Sequence, residues 1–530
     1  MERGCVNVFQ QGTLPHLVVE RAVRFTENVL FTFQEEDYTY GRVYQECSRI
    51  GAFLQRLGLQ QGDRVVVALP NVPEVLLSFT AVALAGCTFI PTNPNLTERE
   101  IAYLLLNSRA KGVIATAEFL RKVAHVLPRL SDTPFLLQVR KEDRVPQAMA
   151  WGDWGEESLA LLQVDVKPLD QVMMIYTSGT TGNPKGVMIS HQGFLNNVHR
   201  LKMLFQMTER DVSINMLPYT HVFAPLVEWA VAVDAGSRFV LRENFHPRGV
   251  LEDVQRYGGT FLAGVPSMYA MLLDEMSHRT YDVNSLRLGF IAAAPVPRHV
   301  QEGFEERTGC TMIQGYGQTE TLLVTFEPID RPHGLHPGTC GTNLFADVEI
   351  RLIDEDGKDV PLGEIGEFYV KTPDVMLGYF EMPEETAKVM NNGWIHTGDL
   401  GYMDEDGYYY VVDRVKHMII SSGRNIYPAE IENTLVALPQ VKEAAVIGIP
   451  DELRGESVEA FIVLKEGQVV SEREVLDCLR ANLTDYKVPR RIHLVDSFPH
   501  TVSGKIRKVQ FREDYMGRRA KEPNRQTKDA

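Results

Sequence analysis

Cysteine is scarce and scattered in this chain. Six stand at Cys5, Cys47, Cys87, Cys310, Cys340 and Cys478 with no Cys-x-x-Cys pair, so neither a disulfide framework nor a zinc site is expected, and a reducing, cytosolic setting fits. A basic excess is missing too: 54 Lys and Arg stand against 70 Asp and Glu, a formal charge of −16. That balance argues against sequence-independent nucleic-acid binding, which needs a face that neutralises phosphates, while leaving room for a local anion pocket. Nor is there an apolar run long enough to cross a bilayer. The longest, Val75 to Ile90, contains Ser78 and Thr80 and falls short of the roughly 18–20 residues required, so it reads as a buried helix and strand. Met1-Glu2-Arg3-Gly4 leads into polar sequence rather than the apolar stretch of a signal peptide. Internal repeats and low-complexity segments are also lacking.

What is there is ample material for several cores: 530 residues, 44% of them hydrophobic, too many for one ordinary core. From Arg64 the chain reads strand (Val65 to Leu69), Pro/Asn turn, apolar helix, and a strand ending at Pro91, the βαβ rhythm of a mostly parallel sheet. The alternation returns at Thr260 to Val265, Ser267 to Met276, Leu286 to Ala294 and Val300 to Arg307. After Asp330 short β-rich runs are separated by Gly-rich turns. Two copies of Asp-Glu-Asp-Gly, Asp354 to Gly357 and Asp404 to Gly407, read as hairpin turns, since neither has EF-hand spacing. Beyond Lys416 a helix near Glu430 to Leu438, strands at Ala444 to Ile449 and Glu459 to Leu464, and a helix at Glu472 to Asn482 form a small α+β unit. A tail fraying from Gly517 is expected to close the chain. The predicted fold is α/β: a large N-terminal domain of mostly parallel α/β subdomains plus a β-rich subdomain, and a small α+β C-terminal domain.

The most informative stretch is Tyr176-Thr177-Ser178-Gly179-Thr180-Thr181-Gly182-Asn183-Pro184-Lys185-Gly186. Hydroxyl side chains interleaved with glycines, with a lysine close by, suit a phosphate-wrapping loop, because small residues let backbone N–H groups approach an anion. It is not a Walker A loop. Pro184 stands where that pattern wants its second glycine, and Gly186 rather than Ser or Thr follows Lys185. For such a cluster alone, an ordinary polar loop after a strand is the plain alternative. In Gln314-Gly315-Tyr316-Gly317-Gln318-Thr319-Glu320, a flat aromatic beside glycines makes a slot for a base, and a carboxylate beside phosphates needs a cation to offset repulsion. Asp399, in Trp394-Ile395-His396-Thr397-Gly398-Asp399-Leu400, is an acceptor-only group matched to a vicinal diol. Taken singly, Tyr316 reads as core packing, Glu320 as a solvated helix cap, Asp413 with the neighbours of Arg414 as a surface ion pair, and Lys505 as solvated.

Taken together and in order, these strings resemble the motifs of the adenylate-forming superfamily of acyl-CoA synthetases, aryl-CoA ligases, adenylation domains and beetle luciferases. The resemblance spans essentially the whole chain, with specific motifs from Met174 to Lys508 and fold-level agreement before them. It implies activation of a carboxylic acid by ATP to acyl-AMP, with Mg²⁺, and transfer of the acyl group to a thiol. ATP contacts are implied for Ser178, Gly179, Thr181, Gly182 and Lys185; for Ala293, Ala294 and Pro295; and for Gly315, Tyr316 against adenine, Gly317, and Thr319 at the α-phosphate. Asp399 and Arg414 are implied around the ribose, and Glu320 as the Mg²⁺ ligand. The catalytic candidates are Lys505, Thr180, Glu320 and His221. Lys505, in Thr501-Val502-Ser503-Gly504-Lys505, bridges carboxylate and phosphate oxygens while negative charges are brought together. Lys416 matches the hinge, which sets the domains at 1–413 and 417–530 with 414–416 between them and makes the C-terminal domain mobile. Ser422 and Gly423, in Ser421-Ser422-Gly423-Arg424-Asn425-Ile426-Tyr427, match the segment that serves the thiol step. One departure is Ala292-Ala293-Ala294-Pro295, where many relatives carry glycines; the added methyl groups narrow the adenine slot or the adjoining acyl pocket.

The acid pocket is expected around His221, Val222, Phe223, Gly264, Val265, Ala292 and Gly315. Val222 stands where amino-acid adenylation domains carry an aspartate, so an α-amino acid would bury an unpaired cation and is disfavoured. The general texture looks most like medium- or long-chain fatty acyl-CoA synthetases, and an aryl acid tolerates the same lining. Coenzyme A is the expected acceptor, with carrier-protein pantetheine as the alternative; a homodimer stays open. Two rivals of other classes are a luciferase-like oxidoreductase and an inactive acyl- or nucleotide-binding relative. The latter's usual mark, loss of the lysine or the glutamate, is absent because Lys505 and Glu320 are both present.

Overall fold

The computed structural model describes residues 10–130, 132–140, 143–154, 160–177, 184–294, 296–422, 424–451, 454–500 and 506–521, the side chains of 519–521 excepted. The first expected βαβ unit is present as strand Arg64–Ala68, helix Pro73–Leu84 and strand Thr88–Pro91. All but one of the helix's residues are buried, the exception being Glu74, which is why its sequence shows no polar face. The second alternation is strand Phe261–Gly264, helix Pro266–His278, strand Leu288–Ile291 and helix Arg298–Thr308.

The chain divides into two compact units, one of Met1–Ile350, Tyr369–His396 and Asp406–Tyr409, the other of Arg351–Phe368, Thr397–Glu405 and Tyr410–Ala530. The larger holds two eight-stranded sheets. In the first, Val29–Phe33, Arg238–Val240, Val212–Ile214, Phe261–Gly264, Leu288–Ile291 and Thr311–Gln318 run parallel, and Glu36–Thr39 and Leu322–Phe326 close its edges antiparallel. In the second, strands Gln171–Thr177, Thr88–Pro91, Arg64–Ala68, Gly112–Ala115, Phe135–Gln138 and Met149–Ala150 are parallel. Lys185–Ser190 and then Gly378–Tyr379 add antiparallel at its edge. Strands such as Arg64–Ala68 are buried over almost their whole length, as parallel strands covered on both faces must be, and this explains their unbroken Val runs.

The smaller unit builds a sheet from Arg424–Ile426, Ile419–Ser421, Gly455–Leu464 and Val441–Asp451, with Arg491–Leu494 parallel to Gly455–Leu464. Ile419, Ile431, Leu435, Val446, Ile462 and Leu479 lie in its core. Helix Glu472–Asn482 opens with a capping box between Ser471 and Glu474. One expectation is corrected here: helix Lys508–Lys521 runs on through Gly517. A helix-interior glycine costs about 1 kcal/mol, but Phe511, Tyr515 and Met516 pack on Ala445, Phe461 and Phe498 and hold the helix on the sheet. Both Asp-Glu-Asp-Gly segments are turns, with Gly357 and Gly407 at φ of 80° and 82°. Among the described residues no helix is long and apolar enough to cross a membrane.

Candidate functional site

The larger unit gathers many of the expected site residues at the carboxyl ends of its parallel strands, where open α/β sheets hold their ligands. Gly264, Ile291 and Gln314 lie side by side in register across three strands. Of the next residues, Val265 and Ala292 leave the sheet together, the Ala292 N–H donating to the Gly264 carbonyl at 3.4 Å, while Gly315 stays in its strand opposite Phe326. The neighbouring strand ends at Ile214 and runs into the loop that carries His221, Val222 and Phe223, all half-buried. The Phe223 ring meets Phe290 edge-on at 5.9 Å. A methyl group on Gly315 would stand 2.9 Å from that same Phe290 ring, so this glycine leaves room for the aromatic side chain. Gly317 is more constrained: its added Cβ would lie 1.9 Å from the Leu322 carbonyl oxygen, inside the hairpin of Thr311–Gln318 with Leu322–Phe326. Tyr316 is half-buried and packs against Val324, Val348 and Val370.

The Ala292-Ala293-Ala294 departure has a conformational consequence. Ala293 is exposed with φ at +74°, the left-handed region that favours glycine. The alanine thus stands where backbone strain, as well as the methyl group's bulk, distinguishes it from the glycine many relatives carry.

Lys185 begins strand Lys185–Ser190, whose antiparallel partner is Gln171–Thr177. The lysine is only 7% exposed. Its Nζ donates to Glu385 at 2.5 Å and sits 4.8 Å above the Tyr379 ring. The Tyr379 hydroxyl donates to the Glu320 carboxylate at 3.0 Å, and the Met376 N–H donates to the Glu320 carbonyl at 2.8 Å. Glu320 is therefore half-buried in a turn and oriented by residues 376–379, rather than a solvated helix cap. Burial and the nearby Glu320 charge raise the Tyr379 phenol well above its ordinary range, which keeps it a proton donor. Hydrogen bonds from Lys185 and Lys388 hold the Glu385 carboxyl down at about 2. Thr319 is half-buried in the same turn. Among the described residues no three His, Cys, Asp or Glu side chains gather as a metal site. A single carboxylate such as Glu320 nonetheless fits Mg²⁺ held chiefly by phosphates and water.

In the smaller unit Asp399 is buried and pairs with Arg414, whose Nε stands 2.8 Å from Oδ1. Arg414 remains 46% exposed. Asp413 is not a surface partner: its buried carboxylate accepts from the backbone N–H groups of Arg414 at 2.7 Å and Ala429 at 2.8 Å. It thereby ties the end of strand Tyr409–Arg414 to the start of helix Pro428–Val436. Lys416 lies between them in the short helix Val415–His417. Ser422 has φ at +53°, and its N–H donates to the Arg454 carbonyl at 2.8 Å.

Ser178, Gly179, Thr180, Thr181, Gly182, Pro295, Gly423 and Lys505 lie outside the described residues. Tyr379 and Glu385 are residues that motif reading overlooked, and Asp413, read there as a surface ion-pair partner, is buried. The signals available were a tyrosine and a Pro-Glu-Glu-Thr string just after Gly378, and an aspartate immediately before Arg414.

Residues 18–380 match the family described as AMP-binding enzyme, and residues 430–505 match the AMP-binding enzyme C-terminal domain. A long-chain-fatty-acid–CoA ligase of Bacillus subtilis (strain 168) is 32% identical over 95% of this chain and 94% of its own length. A feruloyl-CoA synthase of an Amycolatopsis species is 35% identical over 90% of this chain and 94% of its own. The crystal structure of ATP-bound MatB from Rhodopseudomonas palustris superposes with a TM-score of 0.86 at 30% identity, covering 94% of this chain and 99% of that one. The chain belongs to the adenylate-forming, AMP-binding enzyme family. Within that family it is an acid–CoA ligase that uses ATP.

Proposed function

We propose that the acid is a medium- or long-chain fatty acid, activated as acyl-AMP with release of pyrophosphate and then passed to coenzyme A. The observation that carries this reading is the apolar convergence of Val222, Phe223, Val265 and Ala292 at adjoining strand ends, with the 32% identity to a long-chain-fatty-acid–CoA ligase in support. In the first step a carboxylate oxygen bonds to the α-phosphorus and the bond to pyrophosphate breaks. In the second, the thiolate sulfur bonds to the acyl carbon and AMP leaves. Lys505 offsets the approach of the two anions, while Thr180 and the Ser178 to Lys185 loop bind phosphate. Tyr316 lies against adenine with Gly315, Gly317, Ala293, Ala294 and Pro295 around it, and Thr319 meets the α-phosphate. Asp399 and Arg414 bind the ribose, and His221 borders the acid's carboxyl end. Glu320, oriented by Tyr379, would hold Mg²⁺, which neutralises phosphate charge when bound.

The division at 1–413, 414–416 and 417–530 is part of the same proposal: Lys416 is the hinge, and the C-terminal domain presents Lys505 in one arrangement and Ser422 with Gly423 in the other. The reaction is placed in the cytoplasm. An aryl acid is the second reading, favoured by the 35% identity to a feruloyl-CoA synthase.

The test is pyrophosphate release from ATP across fatty, aryl and amino acids, with and without coenzyme A. Release with fatty acids, accelerated by coenzyme A, is expected. Preference for aryl acids selects the second reading, and acceleration by a pantetheinylated carrier alone names the other acceptor. No release with any acid sinks the proposal.

A further inference from the structure

A buried polar node stands beneath the loop that leads to His221, Val222 and Phe223. Asn71, Asn215 and Glu228 are 8%, 1% and 1% exposed. Asn71 follows strand Arg64–Ala68 of one large sheet, and Asn215 follows Val212–Ile214 of the other. Glu228 belongs to the π-helical turn Pro225–Ala230, directly after Phe223 and Ala224; such turns are rare and occur often at functional sites.

The three side chains are spent on one another and on the backbone of residues 216–219, with one further bond from the Arg242 N–H to Asn215 Oδ1 at 3.3 Å. Glu228 Oε2 accepts from the Asn215 amide, and its Oε1 accepts from the Met216 N–H at 3.2 Å. The Leu217 carbonyl accepts from Asn215 Nδ2 at 3.0 Å and from Asn71 Nδ2 at 2.8 Å. Asn71 Oδ1 in turn accepts from the Tyr219 N–H at 3.0 Å, and Asn71 Nδ2 reaches Asn215 Oδ1 at 3.2 Å. The hydroxyls of Tyr219 and Thr220 are buried without hydrogen-bond partners among the described residues. The segment is thus held through its main chain by the node rather than by its own side chains. Burial pushes the Glu228 carboxyl up to about 8, so near neutral pH it stands chiefly protonated and takes no counter-ion.

A fully apolar core would fill this space without polar groups, and a half-satisfied network is worse than none. Placing three such residues where two sheets meet, under one loop, therefore needs a reason, and the backbone they hold supplies it. We propose that Glu228, acting with Asn215 and Asn71, is a positioning residue that sets where His221, Val222 and Phe223 stand and thereby which acids the pocket accepts. The inference rests on the reading of Val222 and Phe223 as acid-pocket residues.

The experiment compares E228A, E228Q, N71A and F223A by steady-state kinetics over a fatty- and aryl-acid panel, with thermal unfolding alongside. The Glu228→Ala change is expected to raise KM for the acid about tenfold and to broaden acid preference, with KM for ATP within about twofold, since a lost buried hydrogen-bond acceptor is felt locally. E228Q, which keeps the shape and one acceptor oxygen, falls between E228A and the unaltered protein. N71A gives the same signature as E228A, and the double substitution is less than additive. Should E228A fail to fold, E228Q and N71A decide by the same split. A lowered unfolding temperature with KM for acid and ATP both unchanged, or both raised alike, overturns the proposal by making the node merely structural. If F223A leaves acid preference untouched, the pocket reading itself falls and the proposal with it, a failure distinguished by which variant is silent.

Discussion

The two units build their candidate sites in different ways. In the larger, the site residues come from strand ends far apart in sequence and are aligned by parallel register: Gly264, Ile291 and Gln314 share one row, while Tyr379 reaches Glu320 across 59 residues and Glu385 reaches Lys185 across 200. In the smaller, Asp399 and Arg414 are 15 positions apart by their numbering and pair directly, with Asp413 beside Arg414 anchoring the chain to the next helix through Ala429. The first arrangement fixes a pocket through many buried contacts. The second leaves a half-exposed arginine on a short anchored segment, suited to a part that exchanges partners.

If that contrast holds, removing a charge contributed by the smaller unit alters the chemical step while leaving the acid pocket intact. The largest expected effect is that of Lys505→Ala: acyl-AMP formation slows by about 10² to 10³ in single-turnover pyrophosphate release. Transfer from supplied acyl-AMP to coenzyme A stays near its original rate. Equal loss in both steps breaks the contrast. Next, Asp399→Asn is expected to weaken ATP binding by roughly 1.5–3 kcal/mol, the scale of a charge-assisted hydrogen bond, with no change in the acid's KM; isothermal titration and kinetics report both.

The larger unit's buried groups predict a pH response. His191 is 1% exposed, its Nδ1 accepts from the Leu14 N–H at 3.2 Å, and burial lowers its pKa from 6.5 to about 3. The folded state thus refuses a proton that the unfolded state binds. Stability is full above pH 6.5 and falls as pH drops from 6.5 toward 3, by about 2 kcal/mol at pH 5. His191→Asn should flatten this acid branch in calorimetry, and an unchanged branch removes His191 as its cause.

How far the site was legible follows from these residues. The glycine and hydroxyl strings around Ser178, Gly315 and Asp399 stood out because small residues that let backbone N–H groups approach a ligand are a local requirement written in residue type. Tyr379 and Glu385 did not, since their roles exist only through partners chosen by sheet pairing. Tyr379→Phe tests that tertiary contribution. Losing one hydrogen bond to Glu320 should raise the Mg²⁺ concentration needed for half-maximal rate by roughly five- to tenfold, about 1 kcal/mol; no change would leave Glu320 oriented by its backbone alone. The smallest effect concerns Ala293. Relieving its left-handed φ returns roughly 1–2 kcal/mol, while glycine's extra unfolded-state freedom takes back about 0.4–1 kcal/mol. Ala293→Gly is therefore expected to stabilise by about 0.8 kcal/mol, the difference of the two mid-values, in denaturant unfolding, and destabilisation would show that the alanine methyl is packed usefully.

By itself the sequence determined the α/β class and the order of the strands and helices, and it carried the ordered motif strings that resemble the adenylate-forming family, because periodicity and residue chemistry are local properties. It even held the helix at Glu472–Asn482 in its Ser471 and Glu474 caps. Only the tertiary structure decided that helix Lys508–Lys521 continues past Gly517, that Asp413 is buried, that Lys185 is paired, and that Asn71, Asn215 and Glu228 share one node. Each of these depends on which surfaces pack and which backbone groups must then find partners away from water, and burial is a property of the folded arrangement that no single segment carries.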